Sequence, residues 1–414
     1  MRGSLGLAAY KALKARGVAP AFSPTGERPE GELLWLHSAE PGAGRAAIDL
    51  ATRMARTRDG MTVLLTFPGG VSKSSIDMTN AREVIIETLP REHPQSVDDF
   101  LNHWSPDACV WIWGGLRPNL VFECAERNIP LFLVDAGKDG FDRRRDRWLP
   151  EVPRQVLTCF EAWLARSEEA HLRLAQLGCP LDQIETVKPL QPIGQTLPIN
   201  AAEVDEVRGE LRGRPMWLAR MVTLDELPTV LSAHRMAVKR AHRLLLVLEP
   251  NSADDIDVFK ATVAKENLKA MSWSDGEIPS ESCSILLADT NEETGLWLSV
   301  SPVSFLGRSL TAGAKGTDPY EAAAHGSAIL YGPNVGQYLN SYSRLAEVGA
   351  ARIISDDLSL GNAVSRLIAP DQAASMAMAA WDVITVGAAA TDRVIELVNT
   401  ALDKGRKDAS NASA

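Results

Sequence analysis

Few of the features that announce a specialised chain are present in this sequence. Its five cysteines, at 109, 124, 159, 179 and 283, are scattered, and no two stand close enough for a Cys-x-x-Cys metal or redox motif. An odd, scattered set fits reduced thiols, most of them small core residues, in a cytosolic protein without a disulfide framework. Positive charge is in the minority: 43 Lys and Arg stand against 53 Asp and Glu, a net charge of −10, which argues against a globally basic nucleic-acid binder. No run reaches the ~18 apolar residues of a membrane span. P-loop, His-Glu-x-x-His and Gly-x-Ser-x-Gly motifs are missing, and no repeat is visible. Gly42 and Gly44 follow a strand, but the third glycine of a dinucleotide fingerprint is absent. What is there is a globular composition: 414 residues, 45% hydrophobic and 23% charged, enough for about two to three domains.

The N-terminus is weakly apolar from Leu5 to Tyr10 and is then broken by Lys11, Lys14 and Arg16. It lacks the apolar core and cleavage site of a signal peptide. With Arg2 it predicts a short basic amphipathic helix, packed on its own domain or touching an anionic membrane surface.

Short apolar runs then alternate with helical patterns. Leu33–Leu36, Thr62–Thr66, Val84–Thr88, Ala108–Trp113 and Pro130–Val134 read as strands, with helices over Ala46–Arg56, Ser96–Trp104 and Pro118–Arg127. The rhythm restarts at Met216–Ala219, with a helix over Leu224–Lys239 and strands at Leu244–Leu248, Ser284–Ala288, Val303–Leu306 and Ala328–Tyr331. Such alternation predicts an α/β chain of two doubly wound, Rossmann-like domains, with ligands bound at the carboxyl ends of the strands. The expected division is an N-terminal domain over 1–195, a linker over 196–213, a second domain over 214–385, a helix over 386–403 and a small, polar, disordered tail over 404–414.

The most informative stretch is Leu286–Gly332. Leu306-Gly307-Arg308-Ser309 is a strand-to-glycine turn where backbone can approach a ligand. Gly313-Ala314-Lys315-Gly316 is a second small-residue loop. Thr317-Asp318-Pro319-Tyr320-Glu321 enters a helix, with Thr317 or Asp318 as cap, Pro319 at the first position and Glu321 in the first turn. The acids serve either as cap and dipole partner or as acceptors for ribose hydroxyls.

These motifs resemble the Kdo transferases, which move 3-deoxy-D-manno-octulosonic acid (Kdo) from CMP-Kdo to a lipid A precursor. The resemblance runs through Asp289-Thr290-Asn291-Glu292-Glu293-Thr294-Gly295-Leu296-Trp297, Gly307-Arg308-Ser309-Leu310, Asp318-Pro319-Tyr320-Glu321-Ala322-Ala323 and Gly332-Pro333-Asn334. Upstream it takes in Trp35-Leu36-His37-Ser38, Phe100–Pro106 and Leu116–Leu120. It implies the glycosyltransferase-B fold, two such domains facing a central cleft, and a CMP-Kdo-dependent enzyme of lipopolysaccharide biosynthesis.

Carried over residue by residue, the resemblance implies that the donor lies along Pro250 and Asn251, along Glu292, Glu293 and Thr294, and along Asp318, Pro319, Tyr320 and Glu321, with Glu321 on the ribose. The family's Arg and His after the proline are Asn251 and Ser252 here, and Arg308, beside Ser309, or Lys315 is expected to supply the missing charge. On the acceptor side, Ala43 falls at the family's general-base glutamate, and Glu40 is the candidate replacement. The family's Glu-x-Glu is Trp113-Gly114-Gly115, and its transition-state lysine falls near Gln191, with Lys188 three residues away. No metal and no cofactor are expected. The implied partners are CMP-Kdo, a lipid A precursor and, peripherally, the cytoplasmic face of the inner membrane, and not nucleic acid. The alternatives are a non-catalytic or altered-specificity homologue that binds a nucleotide or lipid A intermediate, and a transferase of another nucleotide sugar.

Overall fold

Buried apolar runs become the strands of two parallel sheets. The computed structural model describes residues 5–39, 44–68, 84–139, 151–193, 197, 199–266, 268–276, 279–290 and 293–412. Within them the chain divides into two units, Met1–Pro192 with Val386–Ala414, and Ile193–Thr385.

The first unit holds β1 (Glu32–Ser38), β2 (Met61–Phe67), β3 (Val84–Thr88), β4 (Ala108–Ile112), β5 (Leu131–Ala136), β6 (Ala162–Ala165) and β7 (Ile184–Thr186). They pair in the order β3-β2-β1-β4-β5-β6-β7, all parallel. Every residue of β4 and β5 is buried, the mark of a sheet covered on both faces. Trp35, Phe100, Trp104 and Trp111 pack on one face. Leu34, Leu36, Ala51 and Met54 pack on the other, together with Ala390, Val394, Val398 and Leu402 from the last helix.

The second unit holds β8 (Met216–Val222), β9 (Leu245–Pro250), β10 (Ala270–Ser272), β11 (Ile285–Leu287), β12 (Val303–Leu306), β13 (Ala328–Tyr331) and β14 (Ala351–Ile353). Their order is β10-β11-β9-β8-β12-β13-β14, again all parallel. Strand order reverses between β1 and β4 in the first sheet and between β8 and β12 in the second, the places where open α/β sheets bind ligands. The tandem doubly wound architecture read from the sequence is therefore present.

The charged, helix-like run Glu203–Arg212 of the expected linker is the helix Ala201–Leu211, capped by Asn200, and Val204, Val207 and Leu211 bury it against the second core. Other local expectations change. The tail expected to be disordered from Lys404 is helical as far as Ala412, within one helix, Pro370–Ala412. Arg393 and Glu185 pair across the surface of the first unit, and Asp403 pairs with Arg58 at 2.8 Å, which tie that helix down. By length and composition its Pro370–Arg406 portion is apolar enough to cross a membrane. A count of uninterrupted apolar residues overlooks it because small and polar residues punctuate it. The N-terminal helix, Leu5–Lys14, is docked on its own unit: Tyr10 is buried, and its hydroxyl donates to the Glu92 carboxylate. All five cysteines are free thiols, and four are buried.

Two buried histidines are held neutral. In His234, Nδ1 accepts from Trp217 Nε1 at 3.2 Å while Nε2 faces Ser284 Oγ at 2.9 Å, so a second proton would break the Trp217 bond. Burial brings its pKa down to about 4. His37 Nδ1 lies 2.8 Å from Thr66 Oγ1, and burial, aided by Arg117, brings its pKa down to about 3. Neutral histidine stabilises the fold fully above the unfolded value of about 6.5, and stability is lost as pH falls from there towards the folded values. Urea unfolding should therefore show each unit losing about 2 kcal/mol between pH 7 and pH 5 from its histidine alone, roughly 1.4 kcal/mol per pH unit below 6.5. His234→Gln should flatten the acid dependence of the second unit, and an unchanged slope would contradict this account.

Candidate functional site

The second sheet gathers charged groups at the carboxyl ends of its central strands. Strand β8 bulges after Ala219, where Met221 takes a left-handed φ of 56°. The end of β12 comes so close that a Cβ on Gly307 would meet Met221 O at 2.5 Å, so only glycine fits there. This glycine serves the contact of two protein backbones.

Beside it the Glu226 carboxylate, 1% exposed, accepts from three successive amides, Arg308 N and Ser309 N at 2.8 Å and Leu310 N at 2.9 Å. It also accepts from Thr223 N and Thr223 Oγ1, both at 3.1 Å. Consecutive amides of this kind form an anion cradle, and here the protein fills it with its own carboxylate. The turn that the sequence offered to a ligand is thus closed internally. Ser309 is equally committed: its hydroxyl donates to Leu306 O at 2.6 Å and accepts from Gly332 N at 2.9 Å. Arg308 is half-buried, with a φ of 56°.

Asp318 caps the short helix Pro319–Ala324 by accepting from Tyr320 N at 3.0 Å, with Pro319 at its first turn. Thr317 does not cap; its hydroxyl donates to Gly307 O at 2.9 Å and ties this helix to the β12 turn. Glu321, in the first turn, meets a partner absent from the sequence reading: Arg220, at the end of β8, donates Nη1 to its carboxylate. The same guanidinium donates Nε to Glu249 Oε1 at 3.3 Å, at the end of β9. Burial opposes the charge on Arg220, but Glu249 and Glu321 outweigh it and hold the guanidinium ionised. Burial pushes the Glu249 carboxyl upward, and Arg220 pulls against that shift.

The remaining candidates divide. Pro250 ends β9 directly after Glu249, and Asn251 is exposed, its amide bound to Val222 O at 2.8 Å. Glu293 precedes the helix Thr294–Val300 without capping it, and its Oε2 is buried with no hydrogen-bond partner. Thr294 stands beside Glu249 and favours its charged form. Lys315 is exposed, and so is Lys188, in the first unit after β7. Glu40, Ala43 and Glu292 lie outside the described residues. Among those residues no three His, Cys, Asp or Glu side chains are grouped to hold a metal ion.

Arg220, Glu226 and Glu249 are the groups that the sequence reading missed. The first and last had a signal. Each sits at the end of an apolar strand, where a buried charge is rarely left unpaired; the strands were expected to stop one residue short, at Ala219 and Leu248. Glu226 had none, because an acid ahead of a helix looks like any first-turn carboxylate.

A family model described as 3-Deoxy-D-manno-octulosonic-acid transferase (kdotransferase) matches residues 11–191. The chain is 23% identical to the 3-deoxy-D-manno-octulosonic acid transferase of Haemophilus influenzae, over 90% of this chain and 87% of that one. It is 26% identical to that of Bordetella pertussis, with the same two coverages. A probable mitochondrial 3-deoxy-D-manno-octulosonic acid transferase of Arabidopsis thaliana is 24% identical, over 83% of this chain and 79% of its own.

Replacing Glu226 tests the cradle. Glu226→Ala strips the acceptor from three amides and should destabilise the second unit by roughly 3 kcal/mol or more, at ~1–3 kcal/mol per buried donor left unpaired. Glu226→Gln, which keeps one acceptor oxygen, should cost less. Equal urea midpoints for Glu226→Ala and the unaltered protein would refute the assignment.

Proposed function

We propose that the chain, similar over most of its length to Kdo transferases, is a divergent member of that family and transfers Kdo from CMP-Kdo to a lipid A precursor. The observation that carries the reading is the placement of Glu321. A chain with Kdo transferases as relatives keeps this acid in the first turn of a helix beside the β8–β12 switch point, fixed by Arg220. A carboxylate so held can accept from ribose hydroxyls. The acid caps and glycine turns around it close the site without a cation for the phosphate, so Arg308 and Lys315 remain the candidates for that charge.

In this reading the acceptor binds the first unit, and Glu40 removes the proton from its attacking hydroxyl in place of the acid that Ala43 lacks. Loss of a proton from the hydroxyl to the carboxylate accompanies attack on the anomeric carbon, and CMP departs with the bonding electrons. Lys188 stands as an exposed cation on that side. The protein works at the cytoplasmic face of the inner membrane, held peripherally by the basic N-terminal helix. A second reading, a non-catalytic homologue that binds a nucleotide, is favoured by one feature: Ala43 and Gly115 stand where the family carries acids.

Incubation with radiolabelled CMP-Kdo and lipid IVA decides between the two. Labelled lipid is expected; CMP binding without transfer would support the second reading instead. Glu321→Ala should weaken CMP binding by roughly 1–3 kcal/mol in calorimetry, the cost of a lost charged acceptor, and unchanged affinity would remove the donor assignment. Glu40→Gln should leave CMP binding intact and lower turnover by about 10²–10⁴-fold, the range for a general base, with Ala43→Glu restoring activity. The protein should leave the membrane fraction in high salt; retention would indicate an apolar anchor.

A further inference from the structure

Buried polar atoms without partners are uncommon in folded proteins, and each calls for a physical explanation. One is Glu249 Oε2, near the carboxyl end of β9 and beside Arg220; two others, Thr290 Oγ1 and Glu293 Oε2, belong to the segment that follows β11, the neighbouring strand. Glu249 is the deepest, with 5% exposure. Its other oxygen is engaged by Arg220 Nε, and Thr294, though adjacent, makes no hydrogen bond of normal geometry to Oε2.

The chemistry of the gap limits what fills it. Glu249 Oε2 is a carboxyl oxygen whose twin already accepts from Arg220, so the partner it lacks is a hydrogen-bond donor. One guanidinium faces the two acids Glu249 and Glu321, which leaves no surplus positive charge for a phosphate. A nucleoside's hydroxyls fit both conditions, because they donate and carry no charge. Resting on the nucleotide part of the function proposed above, we infer that Glu249 is a ligand-binding residue: its Oε2 accepts from a ribose hydroxyl of the bound nucleotide. Arg220 is the positioning residue, holding Glu249 by Nε and Glu321 by Nη1 so that two acids stand ready at one sugar.

A cycle between protein and ligand tests this. Calorimetry would compare CMP, 2′-deoxy-CMP and 3′-deoxy-CMP on the unaltered protein and on Glu249→Met, which leaves Arg220 and Glu321 as a balanced pair. The unaltered protein should lose roughly tenfold to hundredfold in affinity for one of the two deoxynucleotides, the range for a hydrogen bond to a charged group. Glu249→Met should show a similar loss for CMP and no further loss for that deoxynucleotide. A protein indifferent to both deoxynucleotides overturns the inference. So does a variant that keeps the full deoxy penalty, which would reduce Glu249 to an anchor for Arg220. If Glu249→Met fails to give a cooperative melt, Glu249→Gln, which retains an acceptor for Arg220 Nε, carries the same cycle with a smaller expected loss. Should UMP bind in place of CMP, the donor assignment fails while the UMP series, with the same ribose, still decides the role of Glu249. If no nucleotide binds the unaltered protein, both proposals fall.

Discussion

The second unit depends on one buried carboxylate. Glu226 gathers three consecutive amides of the turn after β12 and two groups of Thr223. It thereby fixes where Gly307 meets β8 and where the Thr317 hydroxyl can reach back. Without that grip the Asp318–Glu321 segment would have no fixed distance from Arg220. The cradle is of the kind that binds phosphate in other α/β proteins. By filling it from within, the chain turns such a cradle into scaffold, next to the side chains of Arg220, Glu249 and Glu321.

Those side chains form a buried polar group in an apolar sheet. Burying an ion pair seldom adds net stability, because desolvation offsets attraction. Its presence at the ends of β8 and β9 is therefore better explained by what it orients than by what it stabilises. Breaking it from one side leaves a lone buried charge, typically a cost of about 3–5 kcal/mol, so Arg220, Glu249 and Glu321 are energetically bound to one another whatever their ligand.

Much of the architecture was legible because a doubly wound sheet writes itself in runs of Leu, Val and Ile. The central strands β1, β4, β8 and β12 stood out, while the short outer strands Ala162–Ala165, Ile184–Thr186, Ala270–Ser272 and Ala351–Ile353 did not. With three or four residues each, they carry too little pattern to separate from loop. The site was legible in part. Asp318, Pro319 and Glu321 follow from helix-capping chemistry, which is local. Arg220 and Glu249 act on Glu321 across sequence separations of 101 and, between themselves, 29 residues, and no spacing rule reaches that far. Thr317 shows the limit at short range: either it or Asp318 suits the cap, and the choice was made by the distant carbonyl of Gly307.

The first unit is completed by residues from the far end of the chain, Val386–Ala414, with the whole second unit in between. On the ribosome this imposes an order. The sheet of the first unit emerges early, yet the face that Ala390, Val394, Val398 and Leu402 cover stays bare until the whole second unit has been made. At roughly 5–20 residues per second, the interval lasts on the order of ten to forty seconds. The inserted unit, continuous in sequence, can fold within that time, while its host waits as a half-covered sheet for chaperones to shelter. A chain stopped at Thr385, within the last helix, would thus forfeit the first unit while the second kept its own residues.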